Sequence, residues 1–267
     1  MPAKQVLRTV HDAVFRDRTY VARHGFEEGY RLVGRMPWFQ RPLTDPAAIR
    51  EHQYFAGLAL AGKVAYDVGA NEGSHTLALR RRTGATGRVY AFEPEPGSFA
   101  RLTRVVALNG LSNVAVFAVA LGDETGVGRL VLPAHGSEAE LAATLDPALQ
   151  AMLGNGATGA EIEVPVVRLD EWVREMDLAA PDFMKVDVEG LEAAVLDGAA
   201  ETIAAARPAL FIEIHGADPD AKTASAAAVL GRLAPLGYRF RHLESGAEVP
   251  PDAPHRIAVG HVICEPL

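Results

Sequence analysis

The chain is poor in cysteine, in excess positive charge and in long apolar runs, and each shortage excludes something. A single cysteine, Cys264, stands among 267 residues. No internal disulfide can form, so the expectation is a reducing, cytoplasmic setting with the thiol filling a late strand. Lys and Arg number 26 against 34 Asp and Glu, a formal net charge of −8. Nucleic-acid binding draws on clustered cations at phosphates, and this balance argues against such a partner. The one basic triplet, Arg80-Arg81-Arg82, falls where a helix should end and reads as a solvated cap complementing the dipole. No apolar run approaches the roughly 18 residues needed to cross a bilayer. The start, Met1 to Arg8, lacks the apolar stretch of a signal peptide. The remainder, 49% hydrophobic and 22% charged, describes a globular chain long enough to bury a sizeable core.

What is present is organised around residues 64–73, Val-Ala-Tyr-Asp-Val-Gly-Ala-Asn-Glu-Gly. An apolar run ends in Asp67, a Gly-x-Asn-x-Gly turn follows, and a helical pattern with Leu77 and Leu79 comes next. Strand, tight turn and helix form the first unit of a doubly wound sheet, where ligands sit outside the strand's carboxyl end. Gly69 and Gly73 allow positive φ or close approach of backbone to a ligand. The turn lacks the Gly-x-Gly-x-x-Gly spacing of a dinucleotide site, because Asn71 takes the middle position. A carboxylate aimed into such a loop repels a pyrophosphate and suits an ammonium group. That combination points to S-adenosylmethionine, whose amino-acid end carries an amine and whose sulfur is cationic. The plain alternative is a βα turn with no ligand.

A second strand, Arg88 to Phe92, ends in Glu93, 20 residues beyond Gly73, the position that holds ribose hydroxyls in doubly wound nucleotide sites. Val114 to Leu121 reads as a third strand whose carboxyl end borders the adenine, with Ala120 and Leu121 near it. Arg129 to Leu132 suggests a short strand, and Glu163 to Asp170 another, with Asp170 as the N-cap of a short helix. Between them, residues 134–160 are rich in Ala and Gly and read as an insertion or lid near the site mouth. Residues 1–51 read as an N-terminal helical extension: Val6, Val10, Val14 and Phe15 recur at helical spacing, and Asp45-Pro46 opens a helix. Tyr20, His24, Tyr30, Trp38 and Phe39 are candidates to wall a substrate pocket, with packing on the sheet as the alternative.

The second dense stretch is Phe183-Met184-Lys185-Val186-Asp187-Val188-Glu189-Gly190-Leu191-Glu192. It reads as the strand across the switch point from the first, bringing Asp187 to the cleft opposite Asp67. In the next strand, Ala209 to His215, a period of two puts Glu213 and His215 on one face. Such a pair is costly inside a sheet unless used or paired. A helix over about 222–236 and two closing strands complete the chain.

Asp67 to Gly73, Phe92-Glu93-Pro94, Leu169-Asp170, Lys185 to Glu192 and Glu213-Ile214-His215 together resemble the FkbM-type methyltransferases. The resemblance runs in order over residues 52–240; residues 1–50 and 134–160 match no motif of it. It implies an α/β, Rossmann-like class I methyltransferase fold: a mostly parallel seven-stranded sheet with helices on both faces and the small N-terminal helical extension. It also implies that Asp67, Gly69, Asn71, Gly73 and Glu93 hold S-adenosylmethionine and that Asp187 to Glu192 face the transferred methyl; Ala120 and Asp187 join the expected cofactor-binding residues by their places at strand ends. The expected reaction is O-methylation of a hydroxyl on a small molecule or glycan. His215 is then the expected base, with Glu213 orienting it and Asp187 or Glu189 as alternative bases. A variant reading makes Asp187, Glu189, Glu213 and His215 a divalent metal site, although no metal is expected. Two other classes are a nucleotide-binding module on an inactive methyltransferase scaffold and, given the fold, an NAD-dependent oxidoreductase.

Overall fold

The computed structural model describes residues 18–34, 42–132, 161–257 and 260–267. A hairpin of β1 (Thr19–Val21) and β2 (Arg31–Val33) precedes α1 (Pro46–Gly57), whose start is capped by the Asp45 carboxylate accepting from the Ala48 amide at 2.9 Å. The described part of the N-terminal extension is thus a β-hairpin as well as a helix. Val6 to Phe15, Trp38 and Phe39, and the 134–160 insertion lie outside the described residues.

Then come β3 (Val64–Val68), α2 (Ser74–Thr83), β4 (Arg88–Phe92), α3 (Pro96–Leu108) and β5 (Val114–Phe117). They are followed by β6 (Ala120–Leu121), β7 (Gly126–Val131), β8 (Glu161–Val167), α4 (Leu169–Glu175) and β9 (Phe183–Val186). The chain closes with α5 (Glu192–Gly198), α6 (Ala200–Ala206), β10 (Ala209–Glu213), α7 (Pro219–Leu233), β11 (Tyr238–His242) and β12 (His261–Pro266). Seven strands form the main sheet in the order β11-β12-β10-β9-β3-β4-β5. Only β12 runs against its neighbours. The order reverses between β3 and β9, which places the ligand cleft above that pair. This topology is the class I methyltransferase fold anticipated above.

Apolar side chains cover both faces of the sheet. One layer holds Tyr66, Phe92, Met184 and Ile212; the other holds Phe55, Leu77, Phe183 and Phe211. Cys264 is fully buried in β12, as its place in a late strand predicts.

Three expectations need correction. The third strand leaves the main sheet at Phe117, and Ala120 pairs instead with β8 in a small sheet of order β6-β8-β7. Ala120 is buried there against Leu130 and Val164 rather than at a strand tip over the cleft. The basic triplet stands in the last turn of α2, as a cap complementing the dipole should, but it is more than a solvated cap. Arg81 lies over the Tyr30 ring at 5.2 Å and donates to the Glu28 carbonyl, and Arg82 donates to the Leu58 carbonyl, so α2 is tied to the hairpin and to α1. Asp170 does not cap its own helix, whose N-cap is Arg168. Its buried carboxylate accepts from the amides of Glu201 and Thr202 at 3.0 and 2.8 Å, satisfying the first turn of α6. Losing a capping carboxylate typically costs about 0.5–2 kcal/mol. Asp170→Ala should therefore lower unfolding stability within or somewhat above that range, read as a lower urea midpoint at unchanged m-value.

Candidate active site

The loop after β3 is held by contacts that forbid larger residues. Gly69 has φ +76°, and a Cβ there would stand 1.8 Å from the Asp187 carbonyl oxygen. Gly73, the N-cap of α2 at φ +95°, would drive a Cβ to 2.3 Å from Leu102 Cδ1. Asn71 also adopts positive φ, at 49°. Its amide donates to Glu93 Oε2 at 2.6 Å, and the Glu95 amide donates to Glu93 Oε1 at 2.7 Å. The tip of β4 is thereby stapled to the loop. Burial pushes the Glu93 carboxyl up to about 7 despite these two amides.

Beneath the loop lies a buried ion cluster. Asp67 is fully buried, and its Oδ2 accepts from Thr76 Oγ1 at 2.6 Å. Asp67 Oδ1 accepts no hydrogen bond among the described residues and stands 3.7 Å from Lys185 Nζ. Parallel pairing of β3 with β9 sets Asp67 opposite Lys185. The Lys185 ammonium, 1% exposed as a residue, donates to the Gly69 carbonyl at 3.0 Å and meets Asp187 Oδ2 at 2.9 Å. Burial alone would lower its pKa, yet Asp187 and Asp67 hold it well above the ordinary lysine value. Burial likewise opposes ionisation of Asp187, and Lys185 and His215 outweigh it, keeping that carboxyl below its usual value. Asp67 therefore does not aim into the cleft as the sequence suggests. It braces the loop from below, and the acid that reaches the cleft from this pair of strands is Asp187.

A second cluster stands at the carboxyl ends of β9 and β10. His215 Nε2 lies 3.5 Å from Glu189 Oε2, 3.6 Å from Glu213 Oε1 and 3.7 Å from Asp187 Oδ1. Its Nδ1 pairs with Glu192 Oε1 at 2.9 Å. A carboxylate only accepts, so Nδ1 carries the proton and Nε2 turns to the cleft. Glu192, fully buried at the start of α5, is the orienting acid; Glu213 does not take that part. Burial lowers the affinity of His215 for its proton, but Glu192, Glu189 and Asp187 reverse this and raise its pKa to about 9. At neutral pH it is thus an imidazolium, not the near-neutral base that an unperturbed value implies. Burial lifts the Glu189 carboxyl to about 7. Glu189 also holds a left-handed φ of 54°, a conformation of the order of 1–3 kcal/mol above relaxed backbone for such a side chain and one that clusters at functional sites.

Sequence reasoning missed the wall beside this cluster. His261 opens β12 as the cross-strand partner of Glu213. Its Nδ1 pairs with Glu244 Oε1 at 2.6 Å, and its ring stacks on Phe211 at 4.7 Å. On α1, Glu51 meets His75 Nε2 at 2.7 Å, just past Gly73. Phe26 of the hairpin turn packs on His75 at 4.7 Å, and Ser74 Oγ donates to Glu27 at 2.5 Å. Only the 3.6-residue register of Glu51 with Phe55 hinted at any of this; the β10–β12 pairing was invisible.

A doubly wound sheet with an antiparallel last strand, a glycine cradle at the switch point and acids at successive strand tips defines a class I methyltransferase. The profile of the Methyltransferase FkbM domain matches residues 67–240. The chain belongs to that family. It is 34% identical over 177 residues to the 31-O-demethyl-FK506 methyltransferase FkbM of Streptomyces tacrolimicus, covering 59% of this chain and 67% of that protein. It is 28% identical to the 2-O-methyltransferase NoeI of Sinorhizobium fredii, over 66% of this chain and 74% of that one. The hexuronic acid methyltransferase AglP of Haloferax volcanii is also 28% identical, with 58% of each chain covered. The crystal structure of methyltransferase FkbM from Methylobacillus flagellatus KT aligns with 78% of this chain and 45% of that one, at 20% identity and a TM-score of 0.49.

Removing the Lys185 ammonium leaves Asp67 and Asp187 as uncompensated acids, one of them fully buried. Breaking a buried pair in this way typically costs about 3–5 kcal/mol. Lys185→Met should therefore lose stability of that order by chemical denaturation, whereas the pair lies too deep for salt to screen it in the wild type.

Proposed function

We propose that the protein transfers the methyl group of S-adenosylmethionine to a hydroxyl oxygen of a small molecule or sugar-containing natural product. The observation that carries this reading is the carboxylate–imidazole cluster of Asp187, Glu189, Glu213 and His215 beside the glycine loop. When bound, the cofactor supplies an electrophilic methyl on a cationic sulfur. The chain's residues fit such a guest. Gly69, Asn71 and Gly73 would line it with backbone, Glu93 would hold the ribose hydroxyls, and Asp187 would offset its positive charge. Asp67 acts from below, through Lys185 and Thr76.

With a sulfonium donor already activated, the residues' main task is alignment, which can contribute about 7–11 kcal/mol. His215 Nε2 takes the acceptor's proton once it has lost its own, and Glu192 keeps the ring aimed. The other substrate wall is the described part of the N-terminal segment, with Phe26 and Glu27 lodged on His75 and Ser74. The O-methyltransferase names of the relatives support the choice of oxygen as acceptor. A nucleotide-binding scaffold without catalysis is disfavoured by the intact acids at three strand tips.

A base contributes about 10²–10⁴-fold in general. His215→Ala should therefore lose at least about a hundredfold in kcat while still binding S-adenosylmethionine in calorimetry. Because kcat/KM reports groups of the free enzyme, the wild-type value should rise with pH to a limb near 9, where His215 deprotonates. A limb near 7 instead would assign the proton to Glu189. Full turnover in the alanine variant would remove the base altogether.

A second reading is favoured by one observation: Asp187, Glu213 and His215 each offer a ligand atom, all within 4.8 Å of one another. An oxygen-rich set with one imidazole suits Mg²⁺ or Mn²⁺, which would acidify a bound hydroxyl. On the metal-free reading, activity survives dialysis against EDTA. Loss of activity, restored by added Mg²⁺ or Mn²⁺, would establish the metal.

A further inference from the structure

Charge is divided unevenly along the chain and, in consequence, between the two faces of the sheet. Residues 1–110 hold 16 Lys and Arg against 10 Asp and Glu, while residues 111–267 hold 10 against 24. The hairpin, α2 and α3 pack on one face through Ala22, Leu32, Leu77 and Val105. Helices α4 to α7 pack on the other through Leu169, Val195, Ile203 and Val229. Between them, α2 and α3 contain five Arg and no acid. Helices α4 to α7 contain seven Asp and Glu against three Lys and Arg. The hairpin is fastened to the basic face: the Arg31 amide donates to Asn109 Oδ1 at 2.8 Å, and Asn109 Nδ2 donates to the Arg31 carbonyl at 2.7 Å. Its strands alternate. Tyr20 and Leu32 form the inward pair, and Val21, 54% exposed, stands outward opposite Arg31. Arg23, Arg31, Arg101 and Arg104 are exposed, with Glu72 paired to Arg101 at 3.0 Å.

We infer that this face docks on an anionic lipid surface, with the hairpin and α3 lying against the headgroups. The net charge of −8 is no obstacle. At physiological salt a charge is felt over about 8 Å, and a helix is itself about 10 Å across. The acids of α4 to α7 lie beyond the sheet and a full helix layer, so the headgroups meet the arginines rather than the chain's average charge. Near such a surface each Arg strengthens binding about fivefold, and the same field turns the acidic face away. Val21, exposed among the arginines, adds apolar area that the headgroup boundary takes up. Nucleic acid suits the face less well. A single strand wants aromatic rings on which bases stack, and the described rings of the hairpin are engaged. Tyr20 packs inward, Phe26 lies on His52 and His75, and Arg81 covers Tyr30 at 5.2 Å. The hairpin turn also borders the cleft, through Phe26 on His75 and Glu27 on Ser74. Docking therefore brings the mouth of the site to the lipid boundary.

The test is co-sedimentation of the full chain with vesicles of phosphatidylcholine alone, or with phosphatidylglycerol replacing about a third of it. At about 0.05 M salt the protein should bind the anionic vesicles and not the neutral ones, and about 0.5 M salt should release it. Arg23→Gln, Arg31→Gln and Arg104→Gln combined should weaken binding about a hundredfold. An equal loss of charge elsewhere, by Arg129→Gln, Arg174→Gln and Arg239→Gln combined, should leave binding unchanged. In the wild type, anionic vesicles should slow hydrogen exchange in β1, β2 and α3, a reading that holds whatever the variants' stability. No sedimentation at low salt, equal losses in the two triple variants, or protection confined to α4–α7 would overturn the docking face. Tighter, salt-sensitive binding to polyuridylic acid, lost in the first variant, would overturn the lipid surface and assign the face to nucleic acid. No arm of the test requires turnover, so the methyl-transfer reading stands or falls separately.

Discussion

The ammonium of Lys185 is the interaction on which the rest of the site depends. It is buried under the first loop and ties three separate pieces of chain: the end of β3 through Asp67, the loop through the Gly69 carbonyl, and the end of β9 through Asp187. A buried charge is tolerated only when paired and hydrogen-bonded, and here the pairing doubles as positioning. Because Gly69 lies against the Asp187 carbonyl with no room for a side chain, the two strand ends are locked at the switch point where a ligand must sit. The loop is therefore held by the chain's own contacts, which is what preorganised alignment requires.

Around this centre the acids fall into two environments. Asp67 and Glu192 are fully buried and spend their charge on Lys185 and His215. Asp187, Glu189 and Glu213 sit half-exposed at the mouth, where a substrate can reach them. Burial pushes the Glu189 carboxyl up to about 7, whereas the Lys185 ammonium and His215 hold Asp187 below its ordinary value.

Much of this was legible beforehand. The doubly wound class followed from apolar runs ending in acids, from the turn at Gly69 to Gly73 and from Glu93 at its offset, because strand ends and glycine turns leave local marks. The His215–Glu213 pairing was legible through the two-residue period of a strand. What misled were contacts over long separations. Asp170 looks like a cap for its own helix and instead caps α6, because its partners are some thirty residues away. Ala120 looks like a strand tip, yet the strand breaks at Phe117 and changes sheets. The arginine triplet looks like solvent-facing charge and instead grips the hairpin.

By itself the sequence determined the doubly wound succession of strands and helices from β3 onward, the glycine turn after β3 and the acids that stand at three strand tips. Each is set by local periodicity and by residue types that only one backbone geometry accommodates. Tertiary structure alone decided which acid faces the cleft and which is buried under it, that Glu192 rather than Glu213 aims His215, and that His261 stands next to Glu213. These depend on strand pairing between segments far apart in the chain: β3 with β9 sets Lys185 beside Asp67, and β10 with β12 sets His261 beside Glu213. No local pattern encodes that pairing, since it arises from how the whole sheet closes its core.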